Sequence, residues 1–508
     1  MRLHRRALRV FPIALVIAFA LFVVPAITGS GQQASADGPY TLIYYDGHMH
    51  TTRSDGNGSV ANIKATALAR GLDAVIVTDH CYMLTLDEWN SLVAETGAAS
   101  DPGTFLALPG VEITGSEGLF NRGHMNALRI SDPFVGDDVD ELCPEEVWPD
   151  PPNPAGTGAN AASMAAWANY VHDQGGIAVH NHTSGSTQLG YGVDAIEVYN
   201  QSHVEDVVMY AKILGYSDAD ALAFGITLNN FAIYGERDIN MLVPFPGFVD
   251  PIPLRMALYY ATLGFTGVGQ WLGSPEAPLN SWDDLLMAYV NGTVNKPIFA
   301  VANSDAHNTA DPDSVVGSAK TGLYVLGLTP VQIYHAIETG RGFATTGPSL
   351  DFEVNGEMMG GTAYVDGGGS ATLDLSVDSE NPSAILVNID IIKNGAVIET
   401  ITPMAPTYAG TLFDDVTEDG YYRVEVTSYD PTASYYFAYS NPVFVNTSAA
   451  AVGGILDIPA DSSASLLGST EEGSSGSSVP YSAVLAAAAA GAAIVVAGGW
   501  YARRRWVK

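Results

Sequence analysis

The sequence predicts an α/β barrel followed by a small all-β sandwich, with a hydrophobic segment at each end. Three observations carry this. From Tyr40 onward, short apolar runs alternate with helical stretches over roughly 300 residues, a length one β/α barrel can reach. After Pro348 the helical patterns give way to short strands separated by turn residues. Each terminus carries an apolar run beside a cluster of arginines.

The barrel part opens on Thr41-Leu-Ile-Tyr-Tyr45, which runs into Asp46-Gly-His48-Met-His50 and then Ser54-Asp55-Gly56. Asn62 to Arg70 has helical character and stops at Gly71, a residue suited to a C-cap. Ala74 to Thr78 is a continuous apolar run of the buried parallel kind, ending in Asp79-His80. A helix is expected over Asp87 to Glu95. Phe105 to Leu108 leads to Pro109-Gly-Val-Glu112, and Gly123-His124 opens another strand reaching Leu128. Ser131 to Asn160, acidic and rich in Pro and Gly, reads as a loop. Ala161 to Gln174 reads as a helix ended by Gly175-Gly176. Ile177 to Val179 runs into His180-Asn-His182, and Asp194 to Tyr199 is the next strand. Helical stretches follow at Val204 to Leu214 and Trp282 to Val290. Between them, Val243 to Pro253 is apolar and proline-rich, with Phe245 and Phe248, as a pocket wall or lid would be. Ile298 to Ala302 ends in Asn303-Ser-Asp305-Ala-His307, and a helix from Pro330 to Glu338 closes this part.

Beyond Pro348, strands are expected at Ala371 to Val377, Ile385 to Ile392, Val397 to Ile401, Tyr421 to Thr427 and Pro442 to Val445. Asn394-Gly395 between two of them signals a hairpin. The domain plan is a signal peptide over 1–36, the barrel over 40–348 and the sandwich over 349–447. A Ser- and Gly-rich linker over 448–480, a membrane helix over 481–502 and a basic tail over 503–508 complete it. Arg2, Arg5, Arg6 and Arg9, the apolar run Ile13 to Val24 and Ala34-Ser-Ala36 make a secretory signal with its cleavage pattern. Tyr481 to Ala502 is uncharged and long enough to span a bilayer, with Trp500 and Tyr501 at the interface and Arg503 to Arg505 beyond it. Together they are expected to place the part between them outside, tethered to the cell surface. Cys81 and Cys143 are the two cysteines; an exported chain could pair them or leave the thiols inert.

The chain has 508 residues, 55 acidic and 21 basic, for a formal charge of -34. Setting aside the eight basic residues at the two ends leaves 13 between them. Such a polyanion has no basic stripe to track a phosphate backbone, which argues against nucleic acid as a partner and for a small-molecule substrate. It attracts divalent cations. Arg122 and Arg341 are rare cations in this setting, each readable as an anion clamp or as a structural ion pair.

His48 and His50 stand two apart after a strand, so they project from one face and can reach one ion. His48, His50, Asp55, His80, Glu112, His124, His182, Asp305 and His307 each fall at or just past the C-terminal end of an expected strand. In a β/α barrel those ends converge on one mouth. Nine imidazole and carboxylate groups there suit two or three divalent ions of borderline hardness, Zn, Mn or Fe. His4, His172, His203 and His335 fall on a basic tail or near helices and are set aside.

His48-x-His50 with Ser54-Asp55-Gly56, Thr78-Asp-His80, Gly110-Val-Glu112, His182 after Gly175-Gly176, and Ser304-Asp-Ala-His307 together resemble the PHP (polymerase and histidinol phosphatase) superfamily. The resemblance covers about Tyr40 to Pro348 and rests on five motifs in order. The trailing β part, with Asn394-Gly395 and Ser440-Asn-Pro442, is similar to the carbaryl-hydrolase-like CehA/McbA branch, with an Ig-like sandwich. The resemblance implies a distorted (β/α)7 TIM-like barrel. It also implies that His48, His50, Glu112 and Asp305 hold one ion, and that Glu112 bridges to a second held by His124 and His182. Asp55, His80 and His307 would then hold a third, with Glu112, Asp305 and His307 as the catalytic residues. Asp55 stands where some members have histidine. Thr183 stands where a proline usually follows, and His180 is an extra imidazole two residues before His182. Distance from Gly176 favours His182 as the ligand.

The implied activity is phosphoester hydrolysis by water activated at a multinuclear metal centre. Hydrolysis of a carboxylic or carbamate ester at the same centre is the alternative. A 5'-3' exonuclease-like PHP activity and a non-catalytic cell-surface metal-binding module are the others. The complete set of donors argues against the last.

Overall fold

The computed structural model describes residues 40–114, 124–133, 161–181, 192–200, 282–309, 315–431 and 435–447, with isolated positions between 201 and 253. The two terminal segments, the linker from 448, most of the loop expected over 131–160 and the helix expected over 204–214 lie outside the described residues. Among the described residues no helix is long and apolar enough to cross a membrane. The segment 481–502 is not among them.

The fold is mixed α/β, with one large sheet and few helices. The first part holds β1 (Thr41–Asp46), α1 (Val60–Ala69), β2 (Ala74–Val77), α2 (Leu86–Ala99), β3 (Leu106–Thr114), β4 (His124–Leu128), α3 (Ala161–Asp173), β5 (Ile177–Asn181) and β6 (Ala195–Asn200). It continues with β7 (Leu242–Val243), β8 (Ile252–Pro253), α4 (Trp282–Val290), β9 (Phe299–Asn303), β10 (Lys320–Val325), α5 (Pro330–Glu338) and β11 (Gly342–Thr345). The helices start where side chains satisfy their first free N–H groups. Ser59 with Asn62 forms a capping box on α1, and Thr85 with Glu88 forms one on α2. Gly71 follows α1 with φ +73, a conformation glycine adopts without cost.

Strands β1, β2, β3, β4, β5, β6 and β9 are neighbours in that order. Alternating strands and helices were expected over this part, and β4, β10 and β11 run antiparallel to their neighbours. β4 runs antiparallel to both β3 and β5, and antiparallel neighbours need no crossover helix. Just past the ends of β1 and β9, Met49 is bridged to Ala306 and His50 N–H donates to the Ala306 carbonyl at 2.9 Å. The first and seventh strands thus meet at the end that carries the histidines. On the other side of β1 lie β10 and then β11, both antiparallel. Neither was expected from the sequence, since glycines weaken the strand pattern there. Gly322 is needed because a Cβ would stand 2.4 Å from the Phe343 ring.

The second part is all β: β12 (Ser349–Val354), β13 (Glu357–Met358), β14 (Thr362–Tyr364), β15 (Gly369–Asp378), β16 (Ile385–Lys393), β17 (Ala396–Ile401), β18 (Thr407–Val416), β19 (Gly420–Tyr429), β20 (Tyr435–Ser440) and β21 (Val443–Asn446). β13, β12, β15 and β18 form a separate sheet, whereas β20 pairs with β11 and so extends the large one. Alternate residues of the two sheets, such as Phe352 and Leu375 from one and Ile389 and Val424 from the other, share a core. Asn394 and Gly395 have φ of +50 and +78, as the two-residue hairpin turn between β16 and β17 requires.

Strand β9 carries Asp305 and His307 at its exit, and side chains hold its outer edge. Asn441 accepts from the Ala300 N–H at 2.7 Å and donates to the Ala300 carbonyl at 3.1 Å. The Thr321 hydroxyl does the same for Ala302, at 2.9 Å each way. Nearby, Arg423 is fully buried and makes two 2.8 Å bonds to Asp283 of α4. It also pairs with Glu425 and lies over the Trp282 ring, 5.0 Å from its centroid.

Candidate metal centre

The mouth is built from strand exits and, at β4, from a strand entrance. His48 and His50 follow β1, His80 follows β2, Glu112 lies within β3, and Asp305 and His307 follow β9. His124 is the first residue of β4. It was expected at a C-terminal strand end, but the reversal of β4 brings its N-terminal end to the same mouth. Among the described residues three groups of donors form, each with ligand atoms within 4.8 Å of one another. They are His48, His50 and Glu112; His80, Glu112 and His124; and His50, Asp55, His80 and His307. Asp305 joins the first group, with its Oδ1 3.4 Å from His48 Nε2 and 3.2 Å from His50 Nε2.

Glu112 is the hub. One oxygen stands 3.3 Å from His48 Nε2 and 2.9 Å from His124 Nδ1. The other stands 2.8 Å from His80 Nδ1 and 3.6 Å from His50 Nε2. Asp55 Oδ1 lies 3.3 Å from His307 Nε2, 3.6 Å from His80 Nε2 and 3.7 Å from His50 Nδ1. Donors about 2.0–2.1 Å from a tetrahedral ion stand about 3.3–3.4 Å from each other. Most of these separations lie close to that value, so the residues fit a cation of this kind. The donor chemistry, imidazole with carboxylate, fits zinc or a neighbouring divalent metal.

Exposure is graded across the mouth. The side chains of His48, His50 and Glu112 are at most 1% exposed, while His307 reaches 30% and Asp55 38%. Among the described residues, the mouth thus has a buried floor and a more exposed Asp55–His307 side.

The electrostatics follow from this packing. Burial pushes the Glu112, Asp305 and Asp55 carboxyls up, but the surrounding imidazoles more than reverse it and hold all three below the usual range. His50 falls to about 4, through burial and then the neighbouring His307 and His80. Burial lowers His80 too, but Glu112 and Asp55 outweigh it and raise the imidazole to about 10. His48 is raised in the same way by Asp305, Glu197 and Glu112.

Loop chemistry sets the positions. The buried Asp79 carboxylate accepts from Thr51 N–H at 2.6 Å, the Thr51 hydroxyl at 2.7 Å and the Ser54 hydroxyl at 2.6 Å, which folds the turn carrying Asp55. A Cβ on Gly56 would sit 2.2 Å from the His50 carbonyl, so only glycine lets the turn pass. Asp305 has φ +53, a left-handed conformation that is strained for a side chain with a Cβ and is found at functional sites. His307 Nδ1 donates to the Asp305 carbonyl at 2.9 Å, leaving Nε2 for the mouth.

His182 lies outside the described residues. His180 is buried in β5 but belongs to none of the three groups. Its neighbour Asn181 faces the mouth, donating to Glu112 at 2.8 Å, and alternation along the strand turns His180 to the opposite face. Arg341 lies over the Tyr40 ring, 4.7 Å from its centroid. Cys81 is buried and disulfide-bonded, with no free cysteine among the described residues; Cys143 lies outside them.

Sequence reasoning missed Glu197, Asn200, Asn303 and Asn181, which hold the ligands without belonging to the groups. The signal was present for Glu197. It is an acid in the middle of the apolar run Ala195–Tyr199, and a buried charge needs a partner.

No protein-family model matches the chain, and no curated protein sequence does. Among solved structures, it is similar to a two-domain protein from Bacteroides vulgatus containing a predicted PHP-like metal-dependent phosphoesterase. That match has 13% identity and a TM-score of 0.35, covering 80% of this chain and 95% of the other. A protein from Bifidobacterium adolescentis described as a metal-dependent phosphoesterase matches at 19% identity and a TM-score of 0.19, covering 31% and 77%. An amidohydrolase from Chromobacterium violaceum, with bound sulfate and no metal, matches at 17% identity and a TM-score of 0.23, covering 37% and 82%. These TM-scores are low, so the chemistry is read from the side chains themselves.

Proposed function

We propose that this chain is a metal-dependent hydrolase of the PHP type, acting on phosphoesters of small molecules. The observation that carries it is Glu112, a buried carboxylate whose two oxygens face different imidazoles and so belong to two donor groups at once. His48, His50, Glu112 and Asp305 would hold one divalent ion, and Glu112 and His124 would belong to a second. Asp55, His80 and His307 would hold a third. When bound, such ions supply Lewis acidity, lowering the pKa of a water and stabilising charge that develops on the ester oxygen.

The chain's own residues do the rest. Glu112 and Asp305 stay ionised beneath the mouth and keep the donor atoms in place. His307, held through its Nδ1, presents Nε2 on the open side where an ester would enter. The acidic surroundings favour a substrate with a single local anion over a polymer of phosphates. Export and tethering by the two terminal segments belong to the same proposal, supported by their sequence.

The test is metal analysis of the purified protein alongside a panel of aryl phosphates, aryl carboxylic esters, carbamates and single-stranded oligonucleotides. The expected result is about two to three divalent ions per chain and a phosphoester turnover that a chelator abolishes. Faster cleavage of carboxylic esters or carbamates would move the assignment to that class. A larger kcat/KM on oligonucleotides, at low and high salt alike, would make the chain a nuclease.

A further inference from the structure

Behind His48 lies a second, fully buried carboxylate. Glu197 Oε1 stands 2.8 Å from His48 Nδ1 and 2.9 Å from Asn303 Nδ2, and its Oε2 stands 2.8 Å from Asn200 Nδ2. Glu197 is 2% exposed, His48 0%, Asn200 1% and Asn303 2%. The identity of each donor follows from the bonds on the other side. Asn303 accepts the Gly47 N–H through Oδ1 at 2.7 Å, which leaves its NH2 facing Glu197. The Asn200 NH2 lies between Glu197 and Asp305 Oδ2, the latter at 3.5 Å, and two carboxylates admit only a donor between them. His48 Nδ1 faces the Glu197 carboxylate at 2.8 Å, so it carries a hydrogen, and Nε2 is the nitrogen that can give its lone pair to a bound ion.

Three N–H donors therefore converge on one side chain. Only a carboxylate has two acceptor oxygens and no hydrogen to offer. A glutamine of the same size would turn its own NH2 toward one of the three donors. Glu197 accordingly does more than fill space in β6: it selects one tautomer of His48 and aims Nε2 at Glu112 and Asp305. Through Asn200 and Asn303 it also ties β6 to Asp305 and to the Gly47 backbone, so the exits of β1 and β9 are set by one group.

We propose that Glu197 is the positioning residue for the ion held by His48, fixing that ligand's tautomer and direction from a strand that contributes no ligand of its own. This rests on the metal-centre reading above. A partner of this kind is worth about 10- to 100-fold in metal affinity.

The experiment measures zinc affinity of the full chain by competition with a chromogenic chelator, for the native protein, Glu197→Gln and Asn200→Ala. Far-UV circular dichroism of the metal-free forms serves as the folding check. Histidine-selective 15N–1H spectra of the zinc-loaded forms report the His48 Nδ1–H directly. The expected result is a Kd raised about 10- to 100-fold in Glu197→Gln, with the His48 Nδ1–H signal lost and the circular dichroism retained. Asn200→Ala, which leaves the carboxylate in place, should weaken zinc by less than that, about three- to tenfold. If the native protein binds no zinc, the metal-centre reading itself fails. If it binds zinc and folded Glu197→Gln binds equally well with the same His48 signal, the positioning role alone is overturned. Should Glu197→Gln not fold, Asn200→Ala decides: a weakened Kd supports the role, and an unchanged one overturns it.

Discussion

Two clusters of acids in this molecule are partnered differently. At the seam between the two parts, Asp283 and Glu425 close around the Arg423 guanidinium, and Tyr421 adds a hydroxyl to Asp283 at 2.7 Å. At the mouth, Glu112, Asp305 and Asp55 have imidazoles as their ion-pair partners among the described residues, and Asn181 and Asn200 supply amide hydrogens. The seam carries its own permanent cation. The mouth offers lone pairs from many elements at separations that suit a cation from outside. A guanidinium satisfies a carboxylate in one fixed geometry and is always charged, so it suits a structural joint. An imidazole can give up its proton and become a ligand. The kind of basic partner thus separates a joint from a site.

The largest expected effect breaks the mouth. Glu112→Gln removes the charge shared by two donor groups, and should cut kcat/KM by at least about 100-fold and lower the metal content. Elemental analysis beside steady-state kinetics checks it, and an unchanged metal stoichiometry would refute the bridging role.

Breaking the seam should cost stability and leave the ligand geometry alone. Arg423→Met strands two buried acids, with an expected loss of about 3–5 kcal/mol in urea unfolding. Replacing Arg423, Asp283 and Glu425 together by apolar residues should recover much of it. If Arg423→Met instead abolished zinc binding in the folded protein, the two regions would not be separable in this way.

Asn441→Ala sharpens the comparison, because it touches β9 from the seam side while Asp305 and His307 leave from its end. Losing both bonds to Ala300 should cost about 1–3 kcal/mol, read as a lower urea midpoint. Zinc affinity should shift less than in Glu197→Gln.

The smallest effect is a surface pair that belongs to neither region. Burial pushes the Asp414 carboxyl up slightly, but Lys393 at 2.5 Å and the Tyr422 hydroxyl at 2.6 Å outweigh it and lower it overall. A carboxyl that ionises more readily when folded adds stability above its unfolded pKa. That stability fades as pH falls through the folded value. Asp414→Asn should therefore cost less than about 1 kcal/mol at neutral pH, and the difference should vanish in acid. Thermal melts across that range check the sign.

His48-x-His50, Asp55, His80, Asp305 and His307 were legible as candidate donors because each stands in a short polar segment next to an apolar run, and Glu112 because it is a lone acid within one. That is a local pattern, and sequence records it. The helices at 161–173, 282–290 and 330–338 were legible for the same reason: caps, glycine stops and periodic apolar faces act over a few residues. What sequence could not hold was direction and pairing. The reversal of β4, which brings His124 to the mouth by its leading end, depends on which strands lie beside it. So does the facing of Asn181 rather than His180 toward Glu112, since one residue of register exchanges the two faces. Glu197 meets His48 from 149 residues away, and Asn303 meets Glu197 from 106. The large sheet continues through β11 and β20 from one part into the other. The donor types were thus determined by the sequence alone. Which nitrogen each imidazole presents, and to which carboxylate, was decided by tertiary contacts, because a hydrogen bond depends on where two groups sit in space and not on how far apart they are along the chain.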